Sequence, residues 1–127
     1  MRDSLERLLE EIDDDADQRG RRPYYVFVGD LVDRGPESAE VVQRVRGLVE
    51  SGRAGGVMGN HDEMFIQALS MNRPDLVGSG DRLVVDVTAE VILRHWISQG
   101  GDATIRSYGS DPARHAGAEG YTVVAPE

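Results

Sequence analysis

The sequence predicts an α/β domain in which short parallel strands alternate with helices. Three observations lead there. Tyr24-Tyr25-Val26-Phe27-Val28 is an aromatic and β-branched run without polar alternation, the pattern of a strand covered on both faces. Val57-Met58 marks the core of a second short strand, and each run ends abruptly in glycine and a polar residue, Gly29-Asp30 and Gly59-Asn60. Between the two lies a stretch with helical apolar spacing, and strand, helix, strand is the grammar of a βαβ unit. The 127 residues are enough for one compact domain, 1–127.

The elements follow in order. Residues 3–17 place Leu5, Leu8, Leu9 and Ile12 at helical spacing with acids opposite, and Asp13-Asp14-Asp15 reads as a solvated helix end. Residues 18–22 form a basic loop before the first strand. Pro36 suits the first turn of the next helix, whose stripe is Val41, Val42, Val45, Leu48 and Val49, closed by Gly52 and Gly55-Gly56. A third helix runs from Asp62 to about Ser70 and buries Met64, Phe65 and Leu69. Residues 72–81 read as a loop, and residues 83–87 as a strand or an irregular apolar segment. Residues 89–98 read as a helix with Val91, Ile92, His95 and Trp96 near one face, broken by Gly100-Gly101. Residues 105–109 suggest a short helix or turn, and residues 121–124 a strand.

Composition excludes several classes. The formal net charge of −9 argues against a nucleic-acid polymer or an anionic membrane as partner. It leaves room for a phosphorylated substrate, because local cations outweigh the net sign. There is no cysteine, hence no disulfide framework and no thiolate metal site. No stretch is apolar for long enough to span a membrane, and the charged, helix-patterned start does not resemble a signal peptide, so a cytoplasmic location is expected. Every basic side chain other than histidine is arginine.

In open α/β sheets, sites form beyond the C-terminal ends of strands, where both polar clusters sit. Asp30 directly follows a strand and is placed for a carboxylate that bridges two metal ions. Asp33 can orient a histidine and raise its basicity. Arg34 offers a planar fork to phosphate oxygens, while Gly29 and Gly35 free the backbone. Asn60 can give a neutral oxygen to a hard cation, and His61 can be either a metal ligand or a general acid. Gly-Asp or Gly-Asn alone is an ordinary turn. Two such pairs, each after an apolar strand and separated by one helix, point to a two-metal hydrolytic site.

Gly29-Asp30-Leu31-Val32-Asp33-Arg34-Gly35 and Gly59-Asn60-His61-Asp62 match the GDxVDRG and GNHD blocks of the calcineurin-like metallophosphoesterases. The chain resembles most closely their phosphoprotein phosphatase branch, with its bacterial serine/threonine phosphatases and symmetrical diadenosine tetraphosphatases. Trp96, Gly100-Gly101, Thr104 and Ser107-Tyr108-Gly109 also resemble a segment of the bacterial members. The resemblance implies an αββα sandwich and hydrolysis of phosphate esters by a hydroxide held between two divalent ions. Manganese is expected first, with iron and zinc also compatible. It implies that Asp30 bridges the metals and that Asn60 binds one of them and touches the phosphate. It further implies that His61 protonates the leaving group, that Asp33 holds His61, and that Arg34 binds the phosphoryl oxygens. The substrate would be a phosphorylated protein or a nucleotide.

The match is partial. The first family block, GDxHG, is absent, and so is any Gly-His pair that would supply a later ligand. His115-Ala116-Gly117 spells another ligand block, but the polar Asp111-Pro112-Ala113-Arg114 before it is not a buried strand, which argues against His115 as a ligand. His95 reads as a packed or surface histidine. The expectation is one incomplete metallophosphoesterase domain, cut at both ends, with part of the metal site. The competing expectation is a non-catalytic remnant that binds a partner through an open sheet edge.

Overall fold

The computed structural model describes residues 2–72 and 89–109. Helix α1 spans Arg2–Gln18 and lays Leu9 and Ala16 into the interior, with Leu5 beside them. Leu8 and Ile12 stay 53% and 36% exposed, so the buried stripe is narrower than the spacing suggested. Asp13 is no solvated helix end: it accepts hydrogen bonds from the Tyr25 hydroxyl at 2.6 Å and from Arg53 at 2.7 Å, tying α1 to the sheet.

Strand β1, Tyr25–Phe27, pairs in parallel with β2, Ala54–Gly56, in the register Tyr25 with Ala54, Val26 with Gly55 and Phe27 with Gly56. The second strand thus precedes Val57-Met58, where its apolar signature was sought. Ala54-Gly55-Gly56 lacks β-branched residues, and only its hydrogen-bonding register with β1 selects it. The ladder continues in one bond, from the Val57 N–H to the Phe27 carbonyl at 3.0 Å. Gly55 and Gly56 therefore belong to the strand and do not close the preceding helix.

One sheet face is covered. Tyr25 and Ala54 bury against Leu9 of α1 and Leu48 of helix α2, Ser38–Glu50, which joins the two strands. The α2 stripe is Val41, Val45 and Leu48, with Val49 turned outward. The other face carries Tyr24, Val26, Val28 and Val57, all at least 64% exposed. The expectation of a strand covered on both faces is corrected: among the described residues, only the helical layer packs on this sheet.

Pro36 lies in the turn before α2 rather than in its first turn. The helix begins without a local side-chain cap; the Ala39 N–H donates instead to the Ser107 hydroxyl at 3.0 Å, a cap supplied by tertiary structure. Helix α3, Asn60–Asn72, starts two residues earlier than predicted. Helix α4, Ala89–Trp96, is followed by a π turn, Ile97–Gly101, and helix α5, Asp102–Ser107. The predicted break is real, with Gly100 at φ +107°. A second core joins these helices around Ala68, Leu93, Trp96 and Ile105, with Phe65 stacked on Trp96 at 5.5 Å. The buried α4 pair is Leu93 and Trp96, three apart; Val91 and His95 are exposed, so His95 is a surface histidine. His115 and the strands proposed for residues 83–87 and 121–124 lie outside the described residues, as does most of the 72–81 loop. No helix among the described residues is long and apolar enough to cross a membrane.

Candidate active site at the strand ends

Parallel pairing brings the C-terminal ends of β1 and β2 side by side, and the two chains leaving them touch. A Cβ on Gly29, at φ +91°, would lie 2.0 Å from the Gly59 nitrogen, and one on Gly59 would lie 2.1 Å from the Asp30 Oδ1. Only glycine fits at either side of this crossing. Beyond it, Asp30, Asp33 and Arg34 adopt φ values of 57°, 73° and 63°, a left-handed path that costs side-chain-bearing residues about 1 kcal/mol or more each. Gly35, expected to free this backbone, is not among the left-handed residues.

Specific acceptors hold that path. The Asp62 carboxylate accepts the N–H groups of Asp30 at 2.7 Å, Leu31 at 2.8 Å and Gly59 at 2.9 Å, so one side chain fastens both loops. Asp30 Oδ1 accepts the His61 N–H at 3.1 Å. The Asp33 N–H donates to the Thr104 hydroxyl at 2.8 Å and faces the Ser38 hydroxyl at 3.2 Å.

The predicted residues come together in two rows. Asp33 and His61 are buried, at 2% and 6% exposure, and joined by a 2.7 Å bond between Asp33 Oδ2 and His61 Nδ1. Trp96 Nε1 donates to both Asp33 oxygens at 3.0 and 3.1 Å, and the Thr104 hydroxyl donates to Oδ1 at 2.6 Å. Asp30, Arg34 and Asn60 form the exposed row at the mouth. Arg34 Nη2 lies 3.1 Å from His61 Nε2. A guanidinium only donates, so Nε2 accepts and the ring proton sits on Nδ1, directed at Asp33. Of the two roles left open for His61, this leaves Nε2 as the nitrogen that faces the mouth.

A dinuclear centre needs several ligands for each ion. Among the described residues no group of three or more histidine, aspartate or glutamate side chains is gathered as such a centre requires. Asp30 and Asn60 supply one carboxylate and one amide, a donor set too small for two ions. Sequence reasoning missed the parts played by Asp62, Ser38, Thr104 and Trp96. The polar demand of a buried Asp33 is the signal for Ser38, Thr104 and Trp96, which reach it from up to 71 residues away, whereas Asp62 serves the backbone of Asp30, Leu31 and Gly59.

The calcineurin-like phosphoesterase family profile matches residues 1–115. The chain is similar to the symmetrical bis(5'-nucleosyl)-tetraphosphatase of Janthinobacterium sp., 37% identical over 95 residues, which cover 72% of this chain and 32% of the relative. It is 61% identical over 36 residues to the protein of that name from Ralstonia nicotianae, covering 28% of this chain and 13% of the relative. Its identity to the asymmetrical bis(5'-nucleosyl)-tetraphosphatase PrpE of Bacillus subtilis is 47% over 47 residues, 37% of this chain and 19% of the relative. The chain thus spans between 13% and 32% of the length of these relatives. No solved structure matches it significantly.

Proposed function

The chain belongs to the calcineurin-like phosphoesterase family, and on that premise we propose that it carries the phosphate-binding and proton-transferring part of a phosphoesterase site. The observation that carries this reading is the contact of Asp33, His61 and Arg34 at the mouth of two parallel strands. Asp33 accepts the hydrogen bond of the His61 Nδ1–H, so exchange with a leaving oxygen runs through Nε2. Incoming phosphate oxygens compete for the Arg34 fork and draw it off Nε2. That nitrogen, once protonated, passes its proton to the departing oxygen. In this family two divalent ions supply the charge that stabilises the attacking and leaving oxygens. Asp30 and Asn60 would be among their ligands and cannot hold two ions unaided.

The relatives' names favour a dinucleoside polyphosphate over a phosphoprotein as substrate. Oxygen and nitrogen donors support manganese, with iron and zinc also compatible. The test is manganese-dependent hydrolysis of p-nitrophenyl phosphate and of a diadenosine polyphosphate, by this chain and by any longer product of its reading frame. Activity that vanishes in Asp30→Asn and His61→Asn is expected. Absence of turnover from the longest product, or turnover indifferent to both substitutions, sinks the proposal.

One observation favours a second reading, a non-catalytic module that binds a partner: the apolar face of Tyr24, Val26, Val28 and Val57 is covered by no element among the described residues. Metal-dependent turnover by the 127-residue chain alone removes it.

A further inference from the structure

We propose that Trp96 and Thr104 are positioning residues of this site, which fix the ring and tautomer of His61 by holding Asp33. The proton-transfer role this serves rests on the function proposed above; the geometry itself does not.

Asp33 is buried and accepts from three side chains. His61 Nδ1 lies on Oδ2, the Thr104 hydroxyl on Oδ1, and Trp96 Nε1 across both oxygens. Both supporting residues are fully buried, at 0% exposure. They come from α4 and α5, 63 and 71 residues along the chain from Asp33.

Thr104 holds Asp33 at two points. Its oxygen accepts the Asp33 N–H at 2.8 Å while its proton goes to the Asp33 carboxylate at 2.6 Å. The Ser38 hydroxyl, at 3.3 Å, is the poorer target for that proton. One hydroxyl thus sets both the left-handed backbone of Asp33 and the direction of its carboxylate. Trp96 stops the carboxylate from rotating, because its N–H is shared between the two oxygens. With both in place, Asp33 Oδ2 has one position, and His61 meets it through Nδ1. Without them the carboxylate can swing, and His61 loses the acceptor that selects its tautomer.

A purely structural role predicts something different. Trp96 stacks on Phe65 and packs with Leu93 and Ile105, contacts that an aromatic ring without an N–H largely keeps. Valine at 104 keeps the shape of threonine and loses only the hydroxyl. Either substitution could lower stability without touching His61.

Proton and nitrogen-15 NMR of the 127-residue chain separates the two. At a pH well above the ordinary imidazole range, the His61 Nδ1–H is expected as a slowly exchanging downfield signal. Thr104→Ser should keep it. Thr104→Val and Trp96→Phe should speed its exchange by at least about tenfold or abolish it, while the amide spectrum stays folded. If Thr104→Val fails to fold, Trp96→Phe beside Thr104→Ser decides. An unchanged signal in Trp96→Phe and in a folded Thr104→Val overturns the proposal, and so does its absence from the unsubstituted chain. None of these outcomes depends on turnover, so a chain that fails every phosphatase assay still decides the point.

Discussion

Arg34 closes on His61: its Nη2 stands 3.1 Å from His61 Nε2, on the one ring nitrogen that faces the mouth. On the function proposed above, the contact covers the atom that exchanges a proton, and a phosphate oxygen would displace it. Titration with inorganic phosphate should therefore shift the His61 ring nitrogens. Arg34→Ala should weaken phosphate binding about 10- to 100-fold, and Arg34→Lys should recover only part, because a single ammonium does not reproduce the fork. Equal affinity for Arg34→Ala by calorimetry would show that the guanidinium does not serve the phosphate.

Asp62 is the fastener of the two loops, with three backbone donors on one carboxylate. Asp62→Ala should cost about 1–3 kcal/mol, since three part-buried N–H groups lose their acceptor and the left-handed Asp30 loses its support. Urea denaturation measures this. A loss below about 0.5 kcal/mol would mean that water replaces the carboxylate freely.

The loop crossing tolerates no methyl group. Gly59→Ala places a Cβ 2.1 Å from Asp30 Oδ1 and 2.6 Å from its nitrogen, and should destabilise by about 3 kcal/mol or more. Gly47, inside α2 with nothing within 4 Å, is the contrast: Gly47→Ala should stabilise by about 0.5–1 kcal/mol through helix propensity. Thermal melts of the two variants should move in opposite directions.

The Tyr25–Asp13 bond gives stability two pH edges. The Tyr25 hydroxyl, with Arg53 nearby, holds the Asp13 carboxyl below its ordinary value of 3.8, so its contribution is present above that value and is lost as pH falls beneath it. Burial, reinforced by the Asp13 charge, pushes the Tyr25 phenol above its ordinary 10.0. Its contribution is present below that value and fades as pH rises past it. Tyr25→Phe should flatten the melting temperature at both ends. Parallel pH curves for the two proteins would refute the linkage.

Val28 is 81% exposed on the open sheet face. Val28→Lys should change stability by no more than about 0.5 kcal/mol in urea denaturation. A loss of about 2 kcal/mol would reveal a face that is covered in solution.

Legibility followed the range of the forces involved. Helical periodicity identified α1, α2 and the break at Gly100, because those signals lie within a few residues. It misplaced β2, since Ala54-Gly55-Gly56 is a strand only by virtue of β1 beside it. It overestimated the burial of Leu8, Ile12 and Val26, because apolar spacing says what can be buried and not what is at hand to cover it.

By itself the sequence named candidate residues for the site: Asp30, Asp33 and Arg34 after one strand, Asn60 and His61 after the next, and the structure brings them to one place. Glycine and charge at fixed local spacing are sufficient to state that chemistry. Only the tertiary structure decided how the residues are held. The His61 proton points at Asp33, whose carboxylate accepts it while Arg34 donates to the other nitrogen, and Asp33 stands still because Trp96 and Thr104 reach it from helices far along the chain. A buried carboxylate must find donors, but nothing local to Asp33 says which; the packing of α4 and α5 against α3 and α2 supplies them.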